Sequence, residues 1–233
     1  MLFDPTIVGR ASGSLAGLTA SHNRGGSYFR ARVVPTNPNS PAQQTVRGAM
    51  SQLAALWSST LTSAQRIAWE TYALNVPIPN AFGAPINVGG VGMFIRTNVL
   101  ALQTGALGGV PLVTAPSIFD LGEYTQPSIT NISASTDQLT IAFTATDAWA
   151  NEDGSAMLIY TSRPVGAAIN YFKGPYRFAF GIVGASLLPP TSPATDNLAF
   201  QVEEGQKCFI RARVIRIDGR VSAEFFGGKV VTT

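Results

Sequence analysis

Near Pro127 the spacing of apolar residues along the chain changes from a helical period of about 3.6 to an alternating period of about 2. Before that point Val46, Ala49, Met50, Leu53, Leu56 and Trp57 recur on one helical face, followed by Ile67, Ala68, Trp69, Tyr72 and Ala73 on a second. After it, Leu139, Ile141 and Phe143 alternate with Thr140, Ala142 and Thr144. Helical patterns come first and strand patterns after them. They predict an α+β chain with antiparallel sheets.

Local signals set the elements. Ser40-Pro41-Ala42-Gln43 has the form of a capping box with proline at the first helical position, and a helix of about 17 residues is expected after it. Thr62-Ser63-Ala64-Gln65 repeats the box and Pro77 ends the second helix. The short step from Ser58 to Leu61 predicts a helical hairpin. A third helix is expected near Val91–Gln103, with Gly90, Phe94 and Asn98 on one face, the glycine admitting close approach of another backbone. Gly105–Pro116 reads as linker. Strands are expected at Ala156–Ser162, at Tyr176–Ile182 with Phe178 and Phe180 on one side, and at Lys207–Ile217. In the last of these Cys208, Ile210, Ala212 and Val214 face inward and Arg211 and Arg213 outward. Asp218-Gly219 forms a turn into a final strand through Val230 and Val231.

Residues 9–40 differ from the rest. Gly9, Gly13, Gly17, Gly25 and Gly26 punctuate them, and Pro35, Asn37, Pro38 and Asn39 close them. Ser27–Val34 reads as a strand with Tyr28, Arg30 and Arg32 on one side and Phe29, Ala31 and Val33 on the other. Such a segment cannot build a core alone and is expected as an arm or hairpin lying on another surface. The domain boundaries that follow are 1–40 for the extended arm, 41–120 for the helical segment and linker, and 121–233 for the strand-rich part.

The chain is poor in reactive groups: one His (His22), one Cys (Cys208) and 13 carboxylates in 233 residues. Side chains of those kinds carry acid–base, nucleophilic and metal chemistry, so no catalytic, cofactor or metal site is expected and the chain reads as non-enzymatic. Charged residues make up 12% of it, about half the usual share, which suits a subunit whose faces neighbours cover. Residues 1–110 carry seven arginines against two carboxylates, whereas the remainder carries nine Lys/Arg against eleven. Charge of opposite sign at the two ends favours attraction between subunits. No stretch approaches the roughly 20 apolar residues of a membrane span, and the opening Met-Leu-Phe-Asp-Pro does not read as a secretory signal.

Several clusters have ordinary readings. Glu152-Asp153 and Glu203-Glu204 precede turn glycines and are expected as solvated turns. His22 is expected as a surface or interface residue, and Cys208 as a small buried hydrophobe. Arg24, Tyr28, Arg30 and Arg32 mix cations with an aromatic, as a single-stranded nucleic-acid groove does, but pairing with carboxylates across a protein interface suits so modest a patch better. Tyr171, Phe172, Tyr176 and Phe178 around Lys173-Gly174-Pro175 read either as a ligand-binding tip or as packing under a long loop. Phe225-Phe226 must turn one ring outward if it lies in a strand.

One set of N-terminal signals resembles a family of uncharacterised proteins encoded by bacteria and their phages. It comprises the spaced glycines, Gly26-Ser-Tyr28-Phe-Arg30, Pro35-Thr-Asn37-Pro, Gln43 and Arg47, Leu61-Thr62-Ser-Ala-Gln65-Arg66-Ile-Ala-Trp69, then Gly90, Phe94 and Asn98. The strand-rich part separately resembles immunoglobulin or fibronectin type III modules, apart from the long segment Pro164–Pro193. The resemblance implies a virion structural protein of a bacteriophage, made in the host cytoplasm and placed in the capsid (decoration or minor capsid) or in the tail or neck. Its partners would be copies of itself and other virion proteins, with Arg24, Tyr28, Phe29, Arg30, Arg32, Phe225 and Phe226 at the assembly interface. The alternative is a carbohydrate- or receptor-binding module tethered by its N-terminal part, with a host-surface glycan as partner.

Overall fold

The computed structural model describes residues 2–3, 12–23, 26–34, 36–37, 39–79, 84–104, 109–120 and 124–233. The chain divides into two compact units, Met1–Pro41 and Ala42–Thr233. Among the described residues, three α-helices and several antiparallel sheets make it α+β, as the change of period predicts.

In the first unit, β1 (Leu2–Phe3), β2 (Gly13–Leu15), β3 (Leu18–Asn23) and β4 (Gly26–Ala31) form one antiparallel sheet in the order β1-β4-β3-β2. The segment expected as an extended arm is therefore a small sheet. Its first hairpin turns through Ala16, in the left-handed region at φ 49°, and Gly17, whose carbonyl accepts from Arg32 N–H at 2.8 Å.

α1 (Pro41–Ala55) starts at the last residue of the first unit and runs in the second, where it loosens into a single π-helical turn at Leu56–Thr60. There the Ser58 and Ser59 hydroxyls donate back to the Ala54 and Ala55 carbonyls, which competes with the regular helical ladder. α2 (Ser63–Asn75) has the expected capping box: Gln65 N–H donates to Thr62 Oγ1 at 3.3 Å, and Thr62 N–H donates to Gln65 Oε1 at 2.9 Å. A short hairpin of β5 (Ile78–Pro79) and β6 (Pro85–Ile86) leads to α3 (Gly89–Thr104).

The expected hairpin of α1 and α2 is not the main helical pair, because α2 packs on α3. Gly90 explains the choice. A Cβ there would lie 2.7 Å from the Glu70 backbone nitrogen, so only glycine lets the two helices approach this closely, and Gly90 N–H donates to Glu70 Oε2 at 2.8 Å. The core between them holds Leu53, Leu61, Trp69, Tyr72, Met93 and Phe94, with Trp69 edge-on to both Tyr72 and Phe94. Only the end of α1 reaches this core. Val46 and Met50 of the expected apolar stripe are exposed.

Of the segment Gly105–Pro116, expected as linker, the described part, Gly109–Pro116, is a strap that lies against the helices. The Asn98 amide donates to the Leu112 carbonyl at 3.1 Å and accepts from Leu112 N–H at 2.6 Å, while Trp69 Nε1–H donates to the Val113 carbonyl at 3.1 Å. Ala115 is buried in the same core. Gly90, Phe94 and Asn98 thus serve helix approach, core filling and strap fixation in turn.

The strands that follow are β7 (Ser128–Ser133), β8 (Gln138–Ala142), β9 (Ala156–Ser162), β10 (Val165–Gly166), β11 (Tyr176–Val183), β12 (Ala194–Asn197), β13 (Gln206–Ile215) and β14 (Phe225–Val230). β12-β8-β7 make one sheet. β11-β9-β13 make the other, with β14 also paired to β13 and β10 continuing the line of β9 along β13. The two sheets share one core, which includes Ile132, Leu139, Ile141, Ile159, Ile182 and Cys208. Ile210, Ala212 and Val214 of β13 face it, as the alternation predicts. Phe178 and Phe180 do not share a face. A register shift between them in β11 sends Phe180 into this core and Phe178 to the opposite side against Tyr160. The Asp218-Gly219 turn is present, with Gly219 at φ 95° and Arg216 N–H donating to the Arg220 carbonyl at 2.9 Å.

Candidate functional site

Cross-strand pairing gives the first unit two unlike faces. Leu15 opposite Leu18, Ala20 opposite Phe29, and Leu18 opposite Ala31 put an apolar set on one side. Thr19 opposite Arg30 and Ser21 opposite Tyr28 put a polar, cationic set on the other, and Arg32 continues it. Leu15 is 84% exposed and Leu18 55%, and they border a hollow of about 390 Å³ with Gly13, Ala20 and Phe29. The sequence placed Phe29 with Tyr28, Arg30 and Arg32 as one interface. The sheet separates them, so a single flat partner cannot touch both sets. Arg24 and the His22 side chain lie outside the described residues.

The larger sheet of the second unit has an outer face that is covered in two halves. Over one half lies α3, whose Leu100 packs with Ala156, Leu158, Ile215 and Val221. The other half carries aromatic rings. Phe209 lies between Phe172 and Phe226 in a near-parallel stack at 6.3 and 5.6 Å, and its ring occupies the space left by Gly228, where a Cβ would come within 2.7 Å. Tyr176 meets Phe172 edge-on and donates its hydroxyl to the Phe172 carbonyl at 2.8 Å. Tyr171, 66% exposed, touches Phe226 at the rim. Of the two rings in Phe225-Phe226, Phe226 is outward and Phe225 packs on the shared core. The sequence singled out Tyr171, Phe172, Tyr176 and Phe226 but not Phe209, which the outward alternation of Arg211 and Arg213 on β13 already placed beside them.

Where the two halves meet is a cavity of about 210 Å³ lined by Leu100, Tyr160, Tyr176, Arg211, Arg213 and Glu224. Glu224 pairs with both arginines, one oxygen to each, at 3.2 and 3.1 Å. The Arg211 guanidinium also lies over the Tyr176 ring at 4.2 Å. Arg96 reaches this cluster from α3 and donates to the Ser222 carbonyl at 3.3 Å. Burial lowers the pKa of Arg96, and the positive charge of Arg213 lowers it further. Burial pushes the Tyr160 hydroxyl up to about 12, and also raises Tyr176. Tyr160 Oη, Arg211 Nε and Arg213 Nε are buried without a hydrogen-bond partner.

Glu152, Asp153 and Glu203 have structural partners of their own. Glu152 pairs with Arg216 Nε at 2.5 Å and accepts from the Ser155 hydroxyl. Burial raises its pKa, but hydrogen bonds from Arg216, Ser155 and Ile217 N–H, with the Arg216 charge, more than offset this and hold it below the usual range. Asp153 holds Ser186 through its N–H and hydroxyl at 2.7 and 2.8 Å, which lowers its pKa. Glu203 pairs with the Gln206 amide at 3.2 Å. Cys208 is buried, and burial pushes its thiol up to about 11. Among the described residues no three His, Cys, Asp or Glu side chains gather as metal ligands would, and no helix is long and apolar enough to cross a membrane. No protein-family model, curated protein or solved structure matches the chain.

Proposed function

We propose that the protein is a non-enzymatic structural subunit of a bacteriophage virion, capsid-associated or in the tail or neck, that assembles through its N-terminal sheet. The observation that carries this reading is the apolar face of that sheet. Leu15 and Leu18 are exposed on a unit spanning only Met1–Pro41, a size at which association or cross-links usually supply what a small core cannot. Covering two such leucines contributes about 2–4 kcal/mol, and each subunit added covers another pair. The cationic face, with Arg30 and Arg32, then meets carboxylates of a second neighbour, so one sheet sits between two partners.

The strand order of the second unit supports an immunoglobulin or fibronectin type III-like module. The first, second and fifth main strands make one sheet (β7, β8, β12) and the remaining four (β9, β11, β13, β14) make the other, around a common core. Such a module is a rigid body suited to projecting from or cementing a particle, with the N-terminal sheet as its anchor. Sedimentation velocity over a range of concentrations tests the reading. The wild type is expected to associate and Leu18→Asp to remain monomeric. A wild type that stays monomeric at every concentration, with residues 12–31 resistant to protease, contradicts it.

A further inference from the structure

We infer that the cavity bounded by Tyr160, Tyr176, Arg211, Arg213 and Glu224 is a binding site for the carboxylate of an acidic monosaccharide, with the adjoining aromatic rings receiving the sugar. This inference does not rest on the assembly reading, because the cavity belongs to the second unit alone. Charge comes first. At the neighbouring turn two arginines each have a carboxylate of their own: Arg216 has Glu152 and Arg220 has Asp218. Here Arg211 and Arg213 share the single carboxylate of Glu224, whose two oxygens are both committed, and the Arg96 charge stands nearby without a contact to it. The cluster therefore keeps an excess of positive charge in a partly buried place, where an added anion interacts more strongly than at an open surface.

Donor capacity points the same way. A guanidinium offers five N–H groups in a planar fork that matches a carboxylate, and Glu224 takes one nitrogen from each arginine. The unpartnered Nε atoms of Arg211 and Arg213 add to the donors left over. Size then selects the ligand. A volume of about 210 Å³ holds about seven waters, on the scale of one sugar ring rather than a peptide segment. At the rim the Tyr176 face is already held by Arg211, and Tyr171 and Phe226 extend the aromatic surface on which the C–H face of a pyranose can lie.

The test titrates the full chain with D-glucuronate, with glucose and with sulfate, following the Nε–H resonances of Arg211 and Arg213 by NMR. Glucuronate is expected to shift both with a dissociation constant on the order of 1 mM, and glucose to leave them in place. Arg213→Gln should abolish the response. Glu224→Gln should tighten binding roughly tenfold, because it removes the carboxylate that competes for both arginines; a purely structural Glu224 would give no such gain. No response to glucuronate in either the wild type or Glu224→Gln overturns the inference. So does an equal response to sulfate, and so does a response to a poly-glutamate peptide alone, which would mark the cavity as a protein contact.

Discussion

Gly90→Ala and Gly48→Ala make the same change in two helices, and the structure predicts opposite signs. At Gly48, on exposed α1, an added Cβ meets nothing within 4 Å. Alanine there should stabilise by about 0.5–1 kcal/mol through reduced freedom of the unfolded chain and better helix propensity. At Gly90 the Cβ would lie 2.7 Å from the Glu70 nitrogen, 2.8 Å from its Cδ and 2.9 Å from its Oε1. The carboxylate can swing away, but the backbone nitrogen cannot without moving α2. Overpacking of this kind costs about 1–3 kcal/mol, and backbone as the obstacle argues for the upper end. Separating the helices also lengthens the bond from Gly90 N–H to Glu70, a charge-assisted contact worth about 1.5–3 kcal/mol. Against these stands a propensity gain of about 1 kcal/mol, so the net expectation is a loss of about 2–4 kcal/mol. Urea unfolding followed by tryptophan fluorescence suits the measurement, since Trp57 and Trp69 border this core. A Gly90→Ala variant as stable as Gly48→Ala would refute the close approach of α2 and α3.

Asn98→Leu should cost about 3 kcal/mol by urea unfolding, because it leaves the Leu112 N–H and carbonyl unpaired beside a buried position; Asn98→Ala should cost at least as much. The folded pKa of Glu152 is depressed, so its contribution is full above the pKa of an unfolded glutamate, about 4.3, and is lost as pH falls through the lower folded value. Urea midpoints of the wild type and Glu152→Gln should accordingly differ at neutral pH and draw together as pH falls from the unfolded value through the lower folded one. Cys208, with its thiol pushed up to about 11 by burial, should stay unlabelled by a thiol reagent in the native protein at neutral pH and react once urea unfolds it. Rapid labelling without urea would show that the shared core opens.

The features legible in the sequence are those decided within a few residues. The Thr62 capping box, the inward alternation of β13 and the turn at Asp218-Gly219 depend on neighbours in the chain, and each is present. Gly90 was legible as a point of close approach, though not as an approach to Glu70. The short step after Ser58 suggested a hairpin of α1 with α2, but loop length says nothing of the competing surface that Gly90, Phe94 and Asn98 offer on α3. A two-residue period puts Phe178 and Phe180 on one face, since a bulge at a single residue leaves no mark in it. The cavity was hidden for a different reason. Leu100 comes from a helix, Tyr160 and Arg213 from adjacent strands and Glu224 from the segment before β14, and the packing of α3 on the sheet closes the cavity over them.

Hydrogen exchange of the amides in residues 12–31, measured in the associated protein and again after dilution to monomer, tests the anchoring role of the N-terminal sheet most directly. The account predicts slow exchange while Leu15 and Leu18 are covered by a neighbour and fast exchange once they are released. Equally slow exchange in both states would mean that the sheet stands by itself, and would contradict the proposal that assembly completes it.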